Sequence, residues 1–113
     1  MPRNMSFSIT TEQYRKRTKR VTRRLGWWNL KPGDIQNGVE KAMGLKKGEK
    51  IVKLGQHRVL NTRPEPLNAI TQDEVILEGF PDMTPDEFID MFCRSHKGCT
   101  PESIVNRIEF EYL

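Results

Sequence analysis

The chain has no apolar run of the roughly 20 residues that a membrane-spanning helix requires; charged residues interrupt every stretch of that length. Its first residues, Met-Pro-Arg-Asn-Met, lack an apolar region, so no secretory signal is expected. Cysteine is scarce. Cys93 and Cys99 are the only two, too few for a disulfide framework at this size, and a reducing cytoplasm is the expected setting. Hydrophobic residues are also few, at 35% against 30% charged, which calls for a compact core under a strongly polar surface. There is no internal repeat and no low-complexity tract. The 113 residues suffice for one domain, 1–113, with a core that needs no staples.

One further absence is local. Residues 14–24 hold seven arginines and lysines and no acid. The first 24 residues carry eight basic side chains against the single acid Glu12, whereas residues 71–113 are acidic overall. A chain polarised in this way has a positive pole, and RNA, a nucleotide or a modified nucleoside is the expected partner. The plainer alternative is a solvated basic helix that aids solubility.

Hydrophobic spacing organises the rest. Residues 6–10 alternate, with Phe7 and Ile9 on one face, and read as a short strand. Thr10, three before Gln13, opens a helix through Tyr14 and the basic residues to about Arg20. On that helical reading Lys19 and Thr22 share one face. Gly26 and the Lys31-Pro32-Gly33-Asp34 turn end the next segment. Strands are expected over 35–41 and 51–62, the latter bulged at Gly55, with a lysine-rich turn at 44–48 between them. Pro64 and Pro66 bracket a loop. Thr71 and Glu74 begin one helix, and Thr84-Pro85-Asp86-Glu87 begins another whose core face carries Phe88, Met91 and Phe92. Residues 106–113 alternate again as a strand in the middle of the fold. The class is α+β: five or six strands and about three short helices, closed or nearly closed into a small barrel.

Lys19-x-x-Thr22-x-Arg24, the Lys31-Pro32-Gly33-Asp34 turn, Ile70-Thr71 opening a helix that ends Glu78-Gly79-Phe80, the Phe88/Phe92 helix and the final Ile108-Glu109-Phe110 strand resemble, in order and spacing, the ASCH family of PUA-like barrels. The glycine usual two places before the lysine is Arg17 here. The resemblance implies a small β-barrel whose cleft faces RNA, nucleotides or modified nucleosides. One branch is similar to amidohydrolases that remove the acyl group from N4-acetylcytidine. Its proposed catalytic lysine, threonine and glutamate correspond to Lys19, Thr22 and Glu78, and its following arginine to Arg24.

A threonine hydroxyl becomes a nucleophile only when a base takes its proton. Lys19 could do so only if partly neutral. Neighbouring arginines and burial would lower its pKa, and Glu78 would raise it. Glu78 is alternatively a proton shuttle to the leaving amine, and Arg24 a holder of phosphate or oxyanion. The same residues also suit an ion pair closing a barrel mouth, or binding without turnover. Arg20, Arg23 and Arg24 are the candidate anion-binding side chains. Trp27 and Trp28, as neighbours on a strand, would face opposite sides. One would pack and the other would offer a stacking platform for a base or a protein partner. Cys93-x-x-His96-x-x-Cys99 has three metal-ligand types where a structural zinc site wants four; a helix end with a Gly98 cap is the plainer reading, and no metal or cofactor is expected.

Overall fold

A computed structural model describes residues 2–41 and 47–113. The strands are β1 (Arg3–Ser6), β2 (Val21–Arg24), β3 (Ile35–Val39), β4 (Lys53–Pro66) and β5 (Ile104–Tyr112). The helices are α1 (Thr11–Arg15), α2 (Gln72–Leu77) and α3 (Pro85–Ser95), with a 3-10 turn at Leu67–Ala69. The strands form one mixed sheet in the order β1-β3-β4-β5-β2. β1 runs parallel to β3 and the other pairs are antiparallel. The sheet curls into a half-barrel, an α+β fold of the small-barrel kind. The expected turn at 44–48 lies mostly outside the described residues.

The caps read from sequence set the helix starts. The Thr71 hydroxyl accepts from the Glu74 amide at 3.3 Å. Thr84 and Glu87 close a reciprocal capping box, at 3.2 and 2.9 Å, ahead of Pro85 in the first turn of α3. β5 lies inside the sheet, between β4 and β2, and carries Ile108 and Phe110 into the core.

Other boundaries differ. The first strand is Arg3–Ser6 rather than 6–10. Phe7 still donates its amide to Val39 at 2.8 Å, after which the chain bends and leaves Ile9 54% exposed. The first helix ends at Arg15, not near Arg20. Lys16 caps it and Arg17 turns into the left-handed region at φ 59°. The reversal sends residues 21–24 into a strand against β5, so Lys19 and Thr22 do not share a helical face. Pro64 and Pro66 belong to β4 rather than to a loop. β3 pairs with β4 only up to Arg58, so both prolines lie where one side of β4 has no strand partner and a missing N–H breaks no ladder. Register shifts fall at Gly38/Val39, opposite Gly55 and Lys53, and at Val59/Asn61.

The core has two parts. Met5, Phe7, Tyr14, Leu30, Val59, Ile108 and Phe110 fill the curl of the sheet. Leu67, Ile70, Val75, Phe88, Phe92 and Val105 pack beneath α2 and α3. A five-residue helix such as α1 is not stable alone; the fully buried ring of Tyr14 anchors it. The ring fits because Gly38 has no side chain: a Cβ there would lie 2.2 Å from Tyr14 Cζ. Its hydroxyl meets His57 Nδ1 at 3.0 Å, and His57 Nε2 meets Gln36 Oε1 at 3.1 Å.

Candidate functional site

Lys19 arrives at the foot of β2 because the chain reverses at Arg17. Glu78 caps the C-terminal end of α2, and Gly79 follows at φ 105°. A Cβ on Gly79 would meet Gln13 at 2.8 Å, so the turn that presents Glu78 needs glycine twice over, for its φ and for the close approach of α1. The Lys19 ammonium donates to Glu78 Oε1 at 2.7 Å and to the Glu78 carbonyl at 2.9 Å. The second bond satisfies a helix-end carbonyl that has no intrahelical partner, and the helix terminus favours the cation.

Glu78 Oε2 accepts from Arg23 Nη1 at 2.9 Å. Arg23 continues to Glu74 Oε1 at 2.9 Å, and Arg107 grips both oxygens of Glu74. Glu65 stands beside Arg23 and Arg63, each at 3.5 Å. A chain of alternating charges thus runs from the cavity to β5. The Arg107 contact, followed by Arg23, holds the Glu74 carboxyl down at about 2.

Arg24 differs from its neighbours. Its Nε donates to the Thr22 hydroxyl at 3.0 Å, and its guanidinium carbon stands 4.9 Å from the centre of the Phe7 ring. Among the described residues no carboxylate lies within ion-pair distance of it. Burial pushes it down to about 10, with Glu78 opposing, which leaves it a cation at neutral pH. Burial also lowers the Lys19 amine, assisted by Arg24 and Arg23 and opposed by Glu78 through charge and hydrogen bonding. The contest left open by the sequence therefore resolves downward from the ordinary lysine value.

Lys19, Thr22, Arg23, Arg24 and Glu78 border one cavity of ≈ 210 Å³. One side is aromatic. Phe80, Phe88, Phe92 and His96 form a ladder with successive ring centres 6.0, 6.1 and 4.1 Å apart. Phe7 and Ile9 line the cavity from the segment joining β1 to α1. The hollow is smaller than the roughly 300–1,000 Å³ typical of drug-sized ligand sites. A cationic floor, one carboxylate and ring-bearing sides in that volume suit a single flat heteroaromatic group with acceptor atoms.

The remaining candidates lie elsewhere. Arg20 is exposed and does not line the cavity. Trp27 and Trp28 sit in a loop after β2, not on a strand, with Trp27 at φ 60°. One ring packs and the other is open even so: Trp27 lies against the core while Trp28 is 54% exposed. With Arg3 and Asn29 they form a separate hollow, and the Arg3 guanidinium stands 4.7 Å from the Trp27 ring centre. Cys93, His96 and Cys99 do not converge as a ligand set. His96 stacks on Phe92 and its Nδ1 bonds the Phe92 carbonyl at 2.8 Å. Among the described residues no group of three metal-ligating side chains gathers anywhere.

The sequence reading did not place Phe80 or His96 at the site. It took Phe88 and Phe92 as core alone, although their i, i+4 spacing serves both roles. No family model matches the chain, and no curated protein matches it. Among solved structures it is similar to protein EF3133 from Enterococcus faecalis V583, which carries the family designation DUF984. The likeness has a TM-score of 0.70 at 15% identity, covering 100% of this chain and 80% of that one. At that identity it speaks for the fold, which the two proteins share.

Proposed function

We propose that the chain is an ASCH-type, PUA-like domain that binds a nucleobase-bearing ligand, as RNA, nucleotide or modified nucleoside, in the Lys19–Glu78 cavity. The observation that carries the reading is the Arg24 guanidinium. It is a cation without a carboxylate partner among the described residues, held by Thr22 and Phe7 on the floor of an aromatic-sided hollow. Such a group supports recognition of a phosphate or a ring carbonyl. The rings of Phe80, Phe88 and Phe92 supply apolar contact for a base.

Calorimetric titration with cytidine, N4-acetylcytidine, cytidine monophosphate and a short single-stranded RNA tests it. Arg24→Gln should weaken binding about 10- to 100-fold, the value of one hydrogen bond to a charged group. Arg20→Gln, outside the cavity, should leave binding unchanged. Equal affinity in wild type and Arg24→Gln defeats the proposal.

A second reading, an amidohydrolase acting on N4-acylcytidine-type nucleosides, is favoured by one observation: Lys19, Thr22 and Glu78 border the same cavity and the Lys19 amine is lowered. In that reading Lys19 takes the Thr22 proton as the hydroxyl attacks the acyl carbonyl, Glu78 relays that proton to the departing amine, and water then hydrolyses the ester left on Thr22. The hydrogen bonds favour binding over turnover, because Lys19 donates to Glu78 while Thr22 accepts from Arg24. Turnover of N4-acetylcytidine by wild type, lost in both Lys19→Ala and Thr22→Ala, is the result the hydrolase requires.

A further inference from the structure

The last turn of α3 holds a feature that the cavity does not explain. Cys93 lies in that last turn, two residues before the helix ends at Ser95, and the chain then reverses through Gly98 at φ 79°. Two backbone bonds fix the reversal, His96 N–H to the Cys93 carbonyl at 3.4 Å and Cys99 N–H to the His96 carbonyl at 3.1 Å. The result places the Cys93 thiol 3.4 Å from Cys99 Sγ, inside contact distance for two sulfurs. Both cysteines are free and half-buried, and both pack against the core beneath α2 and α3. Five residues, 94–98, separate them, and two of these, Ser95 and His96, line the cavity.

We propose that Cys93 and Cys99 are a reversible dithiol–disulfide pair whose closure fixes the lip of the Lys19 cavity, with a low-molecular-weight disulfide as oxidant. Cys99 reacts first, because burial and the hydrogen bond to Cys99 push the Cys93 thiol up to about 11 and leave Cys93 the poorer nucleophile. Its thiolate attacks one sulfur of the oxidant, the oxidant's S–S bond breaks, and one small thiolate leaves. Cys93 then gives up its proton and attacks the Cys99 sulfur of the mixed disulfide. The second small thiolate departs, and the two protein protons end on the two leaving thiols. The sulfurs need approach only from contact to bonding distance, so the ring closes with little movement of α3. Closure joins the helix to the chain beyond Gly98 and holds the segment that carries Ser95 and His96. The inference stands apart from the identity of the cavity's ligand.

The test is incubation of the reduced full chain with excess oxidised glutathione, followed by alkylation and intact-mass measurement. Wild type should lose the mass of two hydrogens, take up no alkylating agent, retain no glutathione and recover fully with dithiothreitol. Cys93→Ser should instead retain one glutathione, on Cys99. A wild-type chain that stays reduced, or that keeps glutathione on either cysteine, overturns the pairing. The two histidines supply the second readout: oxidation should move the ring signals of His96 and leave those of buried His57 in place in an NMR spectrum. Unmoved His96 signals overturn the link to the cavity lip.

Discussion

Lys19, Arg23 and Glu78 are each almost fully inaccessible to solvent, and their charges hold one another. A buried ion pair owes much of its role to what its loss leaves behind: removing one partner strands the other charge in a poor solvent, at about 3–5 kcal/mol. Glu78→Gln should therefore destabilise the fold by about 3 kcal/mol, seen as a lower urea midpoint. Adding Lys19→Met to Glu78→Gln should recover part of that loss, because the stranded ammonium goes with it. A single variant that unfolds at the wild-type midpoint would show that the pair does not hold the end of α2 to β2. The sequence offered the three types, Lys19, Thr22 and Glu78, and a burial for Lys19, but not the tie of Arg23 to Glu78. Periodicity assigns charged residues to the surface, so Arg23 reads as an anion-binding side chain, Glu74 only as part of a helix start, and Arg107 carries no signal. Only a partner placed by the fold turns a buried arginine from an error into a tie.

At the scale of elements, legibility followed local chemistry. Thr71 and Thr84 start α2 and α3 because a cap is satisfied within four residues, and β5 declared itself by alternation. β2 did not, because its four residues, Val-Thr-Arg-Arg, show no apolar period and continue a basic run that suits a helix. Its pairing with β5 decides the matter, and that is a contact across the whole chain. The join of α1 to the sheet was hidden likewise, since it depends on Tyr14 meeting His57, 43 residues away. This join makes stability depend on pH. Burial, with the nearby Arg24 charge, pushes His57 from 6.5 down to about 4. The unfolded chain therefore binds the proton at a higher pH than the folded one. The stabilisation is complete above about pH 6.5 and is lost as pH falls toward 4, and at about 1.4 kcal/mol per pH unit it reaches roughly 3 kcal/mol. Denaturant midpoints should fall from pH 7 to pH 5 in wild type and stay nearly level over that window in His57→Gln, whereas below pH 5 protonation of Glu74, held down at about 2, adds its own loss in both chains. Parallel profiles would place the acid sensitivity elsewhere.

Across the whole molecule, the positive pole seen in the sequence divides into parts with different work. Of the seven basic side chains between residues 14 and 24, Arg15, Lys16, Arg17 and Arg20 are exposed, Lys19 and Arg23 are turned inward onto acids, and Arg24 alone combines a place on the cavity with freedom from a carboxylate among the described residues. Formal charge in a stretch of sequence counts all seven alike, whereas an anion in the cavity meets an inward field set mainly by Arg24, because the Lys19 charge is already held by Glu78. A ligand held there should consequently release few counterions. With one phosphate engaged, the logarithm of the affinity of a short single-stranded RNA should fall with the logarithm of salt at a slope near −0.7, against about −3 if the exposed basic residues gripped four more or less equally. Arg20→Glu should leave that shallow slope where it is, and Arg24→Glu should remove the binding that produces it. A steep slope that flattens in Arg20→Glu would move recognition from the cavity to the outer basic surface, because counterion release reports how many phosphates the protein neutralises wherever they lie.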